Sequence, residues 1–194
     1  MDGGDGASRA PYERLASSGH RSVPWRNGRG VTAEIVAEPP TGTWDWRLSI
    51  ADVTASDEFS IFAGVDRVIV VVEGAGMALT VGPAAERLLA PLEPFAFVGE
   101  ARTVCRLPDG PVRDLNLMTT RSRCRGRLDI VTLEDGEEPA AAGWAALVVV
   151  AGTVSCDDAE LQVHDAVRAR APGARPAISA RGPAAVAIIW IDPC

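Results

Sequence analysis

Lysine is absent from this sequence, and arginine supplies every basic side chain apart from two histidines. Without lysine, the chain forms no Schiff base and has no Walker-type phosphate-binding loop. The histidines, His20 and His164, stand far apart in sequence, so we expect no metal ion and no other cofactor. The four cysteines are scattered without a C-x-x-C pair, which excludes a zinc site built on closely spaced thiolates.

Motifs of nucleophilic catalysis and dinucleotide binding are also missing. There is no G-x-S-x-G sequence, and no pattern that favours a Ser-His-Asp triad. Gly74-Ala75-Gly76 follows an apolar strand but opens no helix, so it is not a dinucleotide fingerprint. Instead we expect these glycines to turn the chain back into a hairpin with residues 77–81.

Net charge, the length of the apolar runs and the N-terminal residues limit the class of partner and the localisation that we expect. A formal net charge of −7 argues against nucleic acid, because neutralising phosphates requires a basic surface. No apolar run approaches the ~20 residues that span a bilayer, so we expect no membrane partner. The first residues have neither the basic nor the apolar region of a signal peptide. We therefore expect a cytosolic protein with reduced thiols.

Short apolar strands separated by glycine and proline predict an all-β protein. The helical patterns are few and short, near residues 83–90 and 138–145. An apolar strand, a glycine turn and a second strand occur at residues 68–81 and again at 147–156, which suggests two barrel-like halves. We expect a flexible leader over 1–20, a first half with a ligand pocket over 21–120, and a second, abbreviated half over 121–194.

Polar side chains alternate with apolar ones on three predicted strands. Thr32 and Glu34 share one strand face, Arg47 and Ser49 share another with Asp45, and Asp114 and Asn116 share a third. Two interpretations follow: rows of polar residues that face water, as is usual, or a pocket inside a barrel.

The segment 22–38, S-V-P-W-R-N-G-R-G-V-T-A-E-I-V-A-E, leads into the first of these strands. It places Trp25, Asn27 and Gly28 in one turn beside a strand, which suits a pocket rim. Because Asn-Gly is a strong turn signal, the same residues also suit a plain turn with Trp25 as an anchor.

Several motifs together resemble the HutD/Ves family. They are P-W-R-N-G-R-G-V-T-A-E-I (24–35), W-D-W-R-L-S-I-A-D-V (44–53), F-S-I-F-A-G-V-D-R-V (59–68), E-G-A-G (73–76) and V-R-D-L-N-L-M (112–118). The resemblance implies a cupin (RmlC-like) jelly-roll barrel, with two cupin-like halves and no metal motif. It also implies a pocket in the first half, built from these motifs. Arg26 and Arg29 depart from the family pattern and would change the pocket rim.

What the resemblance implies about function is a link to histidine utilisation. Family members are proposed to bind a breakdown intermediate, such as a formylated or formimino-glutamate or urocanate, and to limit induction of the pathway. Ves-type members are linked to stress responses, and no enzymatic activity is firmly attached to the family. The leading hypothesis is therefore a regulator or sensor that binds a small carboxylate.

Two other hypotheses stay open: an enzyme that uses Glu34 or Asp114 as acid/base on a small amide or imine, and a protein-interaction module. We favour a binding protein over an enzyme. A homodimer formed through a sheet face is also left open. In the leading hypothesis Arg47 clamps the ligand carboxylate by a bidentate pair. The full predicted ligand-binding set is Trp25, Asn27, Gly28, Thr32, Glu34, Arg47, Ser49, Asp114 and Asn116.

Overall fold

The computed structural model describes residues 11–25, 31–140, 142–171, 173 and 176–194. Within them the chain is almost entirely β, as predicted, and a single 3-10 turn, Ser17–Gly19, is the helical element. The strands are β1 (Tyr12–Leu15), β2 (Arg21–Pro24), β3 (Val31–Glu38), β4 (Trp46–Val53), β5 (Asp57–Glu58), β6 (Val65–Glu73), β7 (Met77–Val81), β8 (Arg87–Leu89), β9 (Phe95–Val98), β10 (Thr103–Arg106), β11 (Val112–Thr120), β12 (Cys124–Leu133), β13 (Ala146–Ala151), β14 (Val154–Cys156), β15 (Ala159–Leu161), β16 (Ala166–Ala169), β17 (Ile178–Ala180) and β18 (Ala184–Pro193).

These strands form four antiparallel sheets, numbered here in the order in which they stack. Sheet 1 has the strand order β5-β10-β7-β8, and sheet 2 has the order β2-β3-β4-β11-β6-β9. Sheet 3 has the order β1-β16-β13-β18-β12, and sheet 4 has the order β15-β14-β17. Three apolar clusters hold the neighbouring sheets together, one in each space between them.

Three strands of the two central sheets, β6, β13 and β18, carry apolar side chains on both faces. Sheet 2 packs its Leu48, Val70 and Leu115 against Val148 and Ile189 of sheet 3. A strand with both faces covered reads as a continuous apolar run instead of an alternating one. This explains the runs at 68–72, 147–150 and 184–189, which lie on β6, β13 and β18.

The outer spaces differ in extent. Between sheets 3 and 4, the side chains of Leu147, Val154, Leu161 and Ile188 belong to one buried cluster. Between sheets 1 and 2, a smaller cluster includes Ile69 and Leu79. The remaining space between sheets 1 and 2 is the cavity described below.

The hairpin predicted at Gly74-Ala75-Gly76 is wrong. Strand β6 pairs with β11 and β9, whereas β7 pairs with β10 and β8, so the glycines carry the chain from sheet 2 to the facing sheet 1. Both edges of β6 are occupied, which leaves β7 no edge to pair with. Gly76 has φ +123°, and a Cβ there would lie 2.6 Å from the Leu89 carbonyl oxygen, so the crossing requires glycine.

The leader expected over residues 1–20 is corrected for its described part. Strand β1 pairs antiparallel with β16 in sheet 3, so residues 12–15 belong to the folded body, while residues 1–10 lie outside the described residues. The short helices expected near 83–90 and 138–145 are absent from the described residues there, and strand β8 lies in the first of these segments.

The chain passes from sheet 2 to sheet 3 through the turn 121–123, next to the predicted boundary at residue 120. The division into two cupin-like halves at that boundary stays a prediction. No helix in the described part of the chain is long and apolar enough to cross a bilayer.

Candidate functional site

A cavity of about 390 Å³ opens between sheet 2 and the loops that cover it. Its floor is the face of β3, β4, β11 and β6 that points away from sheet 3. Its walls come from β2 with Trp25, from the turn 39–44 and from the segment 55–62. Pockets of a few hundred cubic ångströms with mixed apolar and polar lining are typical small-molecule sites.

Strand register brings the predicted polar residues into adjacent rows on this floor. Glu34 lies opposite Ser49, which lies opposite Asn116. Thr32 and Asp114 flank Ala51 in the next row. Because side chains alternate along each strand, residues two apart on one strand meet the matching pair on its neighbour.

Seven of the nine predicted ligand-binding residues line this one cavity: Trp25, Thr32, Glu34, Arg47, Ser49, Asp114 and Asn116. Asn27 and Gly28 lie outside the described residues, as do Arg26 and Arg29. Asp45, predicted on the same face as Arg47, is instead held outside the cavity by an ion pair with Arg123. Whether these seven residues bind a ligand stays a prediction.

Glu34 is held between two arginines. Its Oε1 accepts hydrogen bonds from Arg21 Nε (3.0 Å) and Nη2 (2.5 Å), and its Oε2 accepts one from Arg47 Nε (2.7 Å). Burial by itself would raise the pKa of Glu34, but the hydrogen bonds and charges of Arg21 and Arg47 outweigh it and keep the pKa below its usual range. Glu34 is therefore a poor base, and the Nε–H of Arg47 is already engaged.

Trp25 closes the rim through a hydrogen bond. Its indole Nε1 donates to Thr32 Oγ1 at 2.7 Å, which ties the covering segment to the floor strand β3. The indole needs a hydrogen-bond partner when it is partly buried, and a neighbouring threonine meets this need. The rest of the ring is available as an apolar wall.

Arg67 is a pocket residue that the sequence analysis missed. It lies on β6, is 6% exposed, and lines the cavity. Its Cζ lies 4.9 Å, 5.2 Å and 5.8 Å from the ring centroids of Phe97, Phe59 and Phe62. Among the described residues, its Nε has no hydrogen-bond partner. Contacts with these rings therefore hold the guanidinium in place, while its Nε–H is left without an acceptor in the part of the chain that the structure describes.

The signal for Arg67 was present in the sequence. A charged residue at the start of an otherwise apolar strand, R-V-I-V-V-V, is rarely buried without a purpose. Reading the strand as buried on both faces left this residue out. Arg21 was missed for a different reason, since it lies on an edge strand that has little periodicity.

Asp114 is the second unusual charge of the cavity. It is 2% exposed, and its Oδ1 has no hydrogen-bond partner among the described residues. Burial raises the pKa of Asp114 to about 7, although the nearby Arg67 charge opposes this. Burial also lowers the pKa of Arg67 to about 10, so the guanidinium stays charged at neutral pH.

Asn116 adds a third unpaired polar atom, since its buried Oδ1 also lacks a hydrogen-bond partner among the described residues. Buried polar atoms normally find partners, so three unsatisfied atoms lining one cavity require an explanation, and a binding site is one that accounts for all three. The cavity thus offers a fixed cation in Arg67, acceptors on Asp114 and Asn116, and apolar walls. A small ligand with an anionic group fits this arrangement.

Three or more His, Cys, Asp or Glu side chains in a metal-binding arrangement are not found in the described part of the chain. The described lining of the cavity has three arginines and four carboxylates, without an imidazole or a thiol group, and the Glu34 carboxylate is paired with Arg21 and Arg47. This donor set lacks the nitrogen and sulfur ligands that transition metals prefer.

Comparison with known sequences identifies relatives. A family model described as HutD matches residues 17–187. An uncharacterised 21.2 kDa protein in the hutC 3′ region of Pseudomonas putida is 43% identical over 116 residues, 59% of this chain and 61% of that protein. Protein Ves of Cronobacter sakazakii is 40% identical over 107 residues, 55% of this chain and 59% of that protein. The alignments span about three fifths of the length of these curated relatives.

Solved structures are similar over most of their length. A conserved protein of unknown function from Pseudomonas aeruginosa PAO1 has a TM-score of 0.80 at 34% identity, covering 93% of this chain and 98% of that chain. HutD from Pseudomonas fluorescens SBW25, determined under a formate condition, has a TM-score of 0.76 at 37% identity with the same coverage. A cupin 2 conserved barrel protein from Leptotrichia buccalis, at 11% identity over 93% of this chain and 96% of that chain, shares the fold alone, with a TM-score of 0.58. The predicted cupin fold is confirmed.

Proposed function

Because this chain belongs to the HutD family, we propose that it binds a small carboxylate in the cavity of sheet 2 and acts as a cytosolic sensor in histidine utilisation. The observation that carries the proposal is the buried Arg67 guanidinium, which contacts three phenyl rings and whose Nε has no hydrogen-bond partner among the described residues. It lines the same cavity as Asp114 and Asn116, whose Oδ1 atoms also lack partners there. A carboxylate supplies the acceptors that this guanidinium lacks. The link to histidine utilisation is supported by a relative named for the hutC region.

In this proposal Arg67 takes the part first predicted for Arg47. The Nε–H of Arg47 is bonded to Glu34, so Arg47 fixes the floor of the cavity and contributes positive charge. Thr32, Ser49 and Asn116 orient the ligand, and Trp25 covers it. Glutamate derivatives with a formyl or formimino group, urocanate and formate all carry the required anion, and formate was present when the Pseudomonas fluorescens HutD structure was determined.

A thermal-shift screen tests the proposal. Purified protein is heated with formate, urocanate, histidine, glutamate, N-formylglutamate or formiminoglutamate, because a ligand that binds only the folded state must raise the midpoint. Two variants, Arg67→Met and Arg47→Met, are screened in parallel, with Arg102→Met as an exposed control.

We expect at least one carboxylate to raise the midpoint of the wild-type protein and of Arg102→Met. The same carboxylate should leave a folded Arg67→Met unshifted, and should shift Arg47→Met less than wild type. If Arg67→Met keeps the full response while Arg47→Met loses it, Arg47 is the clamp after all. If no carboxylate shifts the wild type, the pocket proposal is rejected in favour of the protein-interaction module.

The enzyme hypothesis keeps one specific observation in its favour. Of its two candidate bases, Glu34 is neutralised by arginines, whereas Asp114 is buried and has no hydrogen-bond partner on Oδ1 among the described residues. Its pKa of about 7 is near neutral, as general acid/base catalysis requires. Turnover of formiminoglutamate or a related amide by the wild type, lost in Asp114→Asn, would establish an enzyme. Binding without turnover would leave the sensor.

A further inference from the structure

We propose that carboxylate binding at Arg67 is coupled to protonation of Asp114, so that the cavity takes up one proton with each carboxylate it binds. This inference rests on the proposed function, because it requires a carboxylate at Arg67. It concerns the control of that site: the cavity would respond to proton concentration as well as to ligand concentration.

The surroundings of Asp114 carry the argument. On β11 its neighbours across the sheet are Ala51 of β4 and Val71 of β6, neither of which has a side-chain hydrogen-bond donor. Its Oδ1 is buried without a partner among the described residues. The ionised carboxylate is therefore supported chiefly by the charge of Arg67, without a direct hydrogen bond on Oδ1.

A ligand carboxylate at Arg67 would change this balance. When Asp114 is ionised, its charge already neutralises part of the Arg67 field, and it would repel a second anion in the same poorly solvated cavity. When a proton from solvent joins the Asp114 carboxylate, the repulsion ends. The carboxylic acid then has an O–H that donates to the ligand oxygen, as in other sites where two carboxyl groups share one proton.

The other charged and titratable groups near Asp114 do not explain the proposed proton uptake. Asp52 of β4 is exposed and pairs with Arg113, so its charge is compensated and open to solvent. Burial, with the Asp114 charge as a second cause, raises the pKa of Cys105 on the facing sheet to about 12, so that thiol stays neutral. Glu34 is held ionised by Arg21 and Arg47. Burial of Asp114 itself brings its pKa to about 7, so this carboxyl group changes charge near neutral pH.

Formate is the probe, because it has a carboxylate and no N–H group that could satisfy Asp114 in place of a proton. Its apparent Kd is measured by calorimetry or NMR titration from about pH 6 to about pH 9. We expect the affinity to fall about tenfold for each pH unit above the pKa of Asp114, which is the slope for one proton taken up per ligand.

The variants separate Asp114 from the other titrating groups. Asp114→Asn has a permanently neutral amide of nearly the same shape, so its formate affinity should be independent of pH. The double variant His20→Gln/His164→Gln lacks the two histidines that titrate nearest this range and should keep the wild-type slope. A melting curve checks that each variant is folded.

Calorimetry in two buffers of different ionisation enthalpy gives a direct count of protons. One proton taken up per formate at about pH 8 in the wild type, and none in Asp114→Asn, supports the coupling. Formate binding that is lost in Arg67→Met but shows no pH slope and no proton uptake overturns the coupling and leaves the proposed function intact. No formate or larger carboxylate bound at any pH overturns both.

Discussion

The space between sheets 1 and 2 and the space between sheets 3 and 4 are enclosed by similar pairs of sheets but filled differently. In the second space Leu147, Val154 and Ile188 form a closed apolar core, and the buried Ser155 bonds to Ser179 beside it. In the first space, buried Glu34, Ser49, Arg67 and Asp114 share the interior with apolar residues. The same kind of enclosure thus serves as a core or as a site, according to the polarity of its inward-facing residues.

The largest expected effect is on protein stability, through the apolar core between sheets 3 and 4. Leu147 is fully buried, so Leu147→Ala should lower the free energy of unfolding by about 3 kcal/mol, through lost transfer energy and the cavity left behind. Urea denaturation measures this. The matched control is Leu88→Ala, whose leucine is 62% exposed and should cost less than about 0.5 kcal/mol. Equal losses for the two variants would contradict the assignment of the second space as a stabilising core.

The next effect concerns the ion pairs of the cavity floor. Glu34→Gln removes the charge that compensates Arg47, whose side chain is 13% exposed, and should cost about 2 kcal/mol at neutral pH. Glu58→Gln, which breaks the exposed pair with Arg102, is the control and should cost less than about 1 kcal/mol. The low pKa of Glu34 also predicts that the difference from wild type narrows as the pH falls through that pKa.

An effect of opposite sign is expected at Asp114 in the absence of ligand. Its pKa of about 7 lies above the ordinary value of 3.8, so the folded state keeps the proton that the unfolded state has lost, and wild-type stability falls as the pH rises between these two values. Asp114→Asn avoids this loss, so its free energy of unfolding should rise relative to that of the wild type between pH 4 and pH 8. Chemical denaturation at pH 4 and pH 8 measures the free energy of unfolding of both proteins. If the difference between variant and wild type is the same at the two pH values, the raised pKa of Asp114 is refuted.

The smallest effect is expected where sheets 2 and 3 meet. Burial lowers the pKa of His20 and of His164, although Asp165 opposes this at His20 and Glu73 opposes it at His164. The unfolded state then takes up protons first, so stability is lost as the pH falls below about 6.5. His164→Gln should reduce the loss between pH 7 and pH 5 by less than about 1 kcal/mol. If His164→Gln loses as much stability between pH 7 and pH 5 as the wild type, His164 does not contribute to the loss at acid pH.

Much of the fold was predictable because strand periodicity is local. The alternation of Trp46, Leu48 and Ile50 with Arg47 and Ser49 predicted a two-faced strand, and β4 has its apolar face on sheet 3 and its polar face on the cavity. The glycine turn after β6 was misjudged because a turn signal states that the chain reverses, without stating which strand edge is free. Strand β1 was missed because its partner β16 lies more than 150 residues away.

The site residues likewise fall into those that could be predicted from the sequence and those that could not. Residues on alternating strands, such as Thr32, Glu34, Ser49 and Asn116, could be assigned to one face from the sequence. Arg67 could not, although its charge marked it as unusual, because the run that follows it, residues 68–72, is apolar on both faces and does not show which face the guanidinium takes. The role of Arg47 depended on Glu34, 13 residues away, and their contact exists only in the folded sheet.

The sequence by itself determined the all-β character, the absence of lysine chemistry and the set of polar strand faces, since each depends on residue type and short-range spacing. The tertiary structure alone decided which charges are compensated. It places Glu34 between two arginines, and within the described ranges it leaves Arg67 Nε and Asp114 Oδ1 without hydrogen-bond partners. The physical reason is that burial and pairing, which set the pKa of a side chain and its capacity to bind, come from residues distant in the chain.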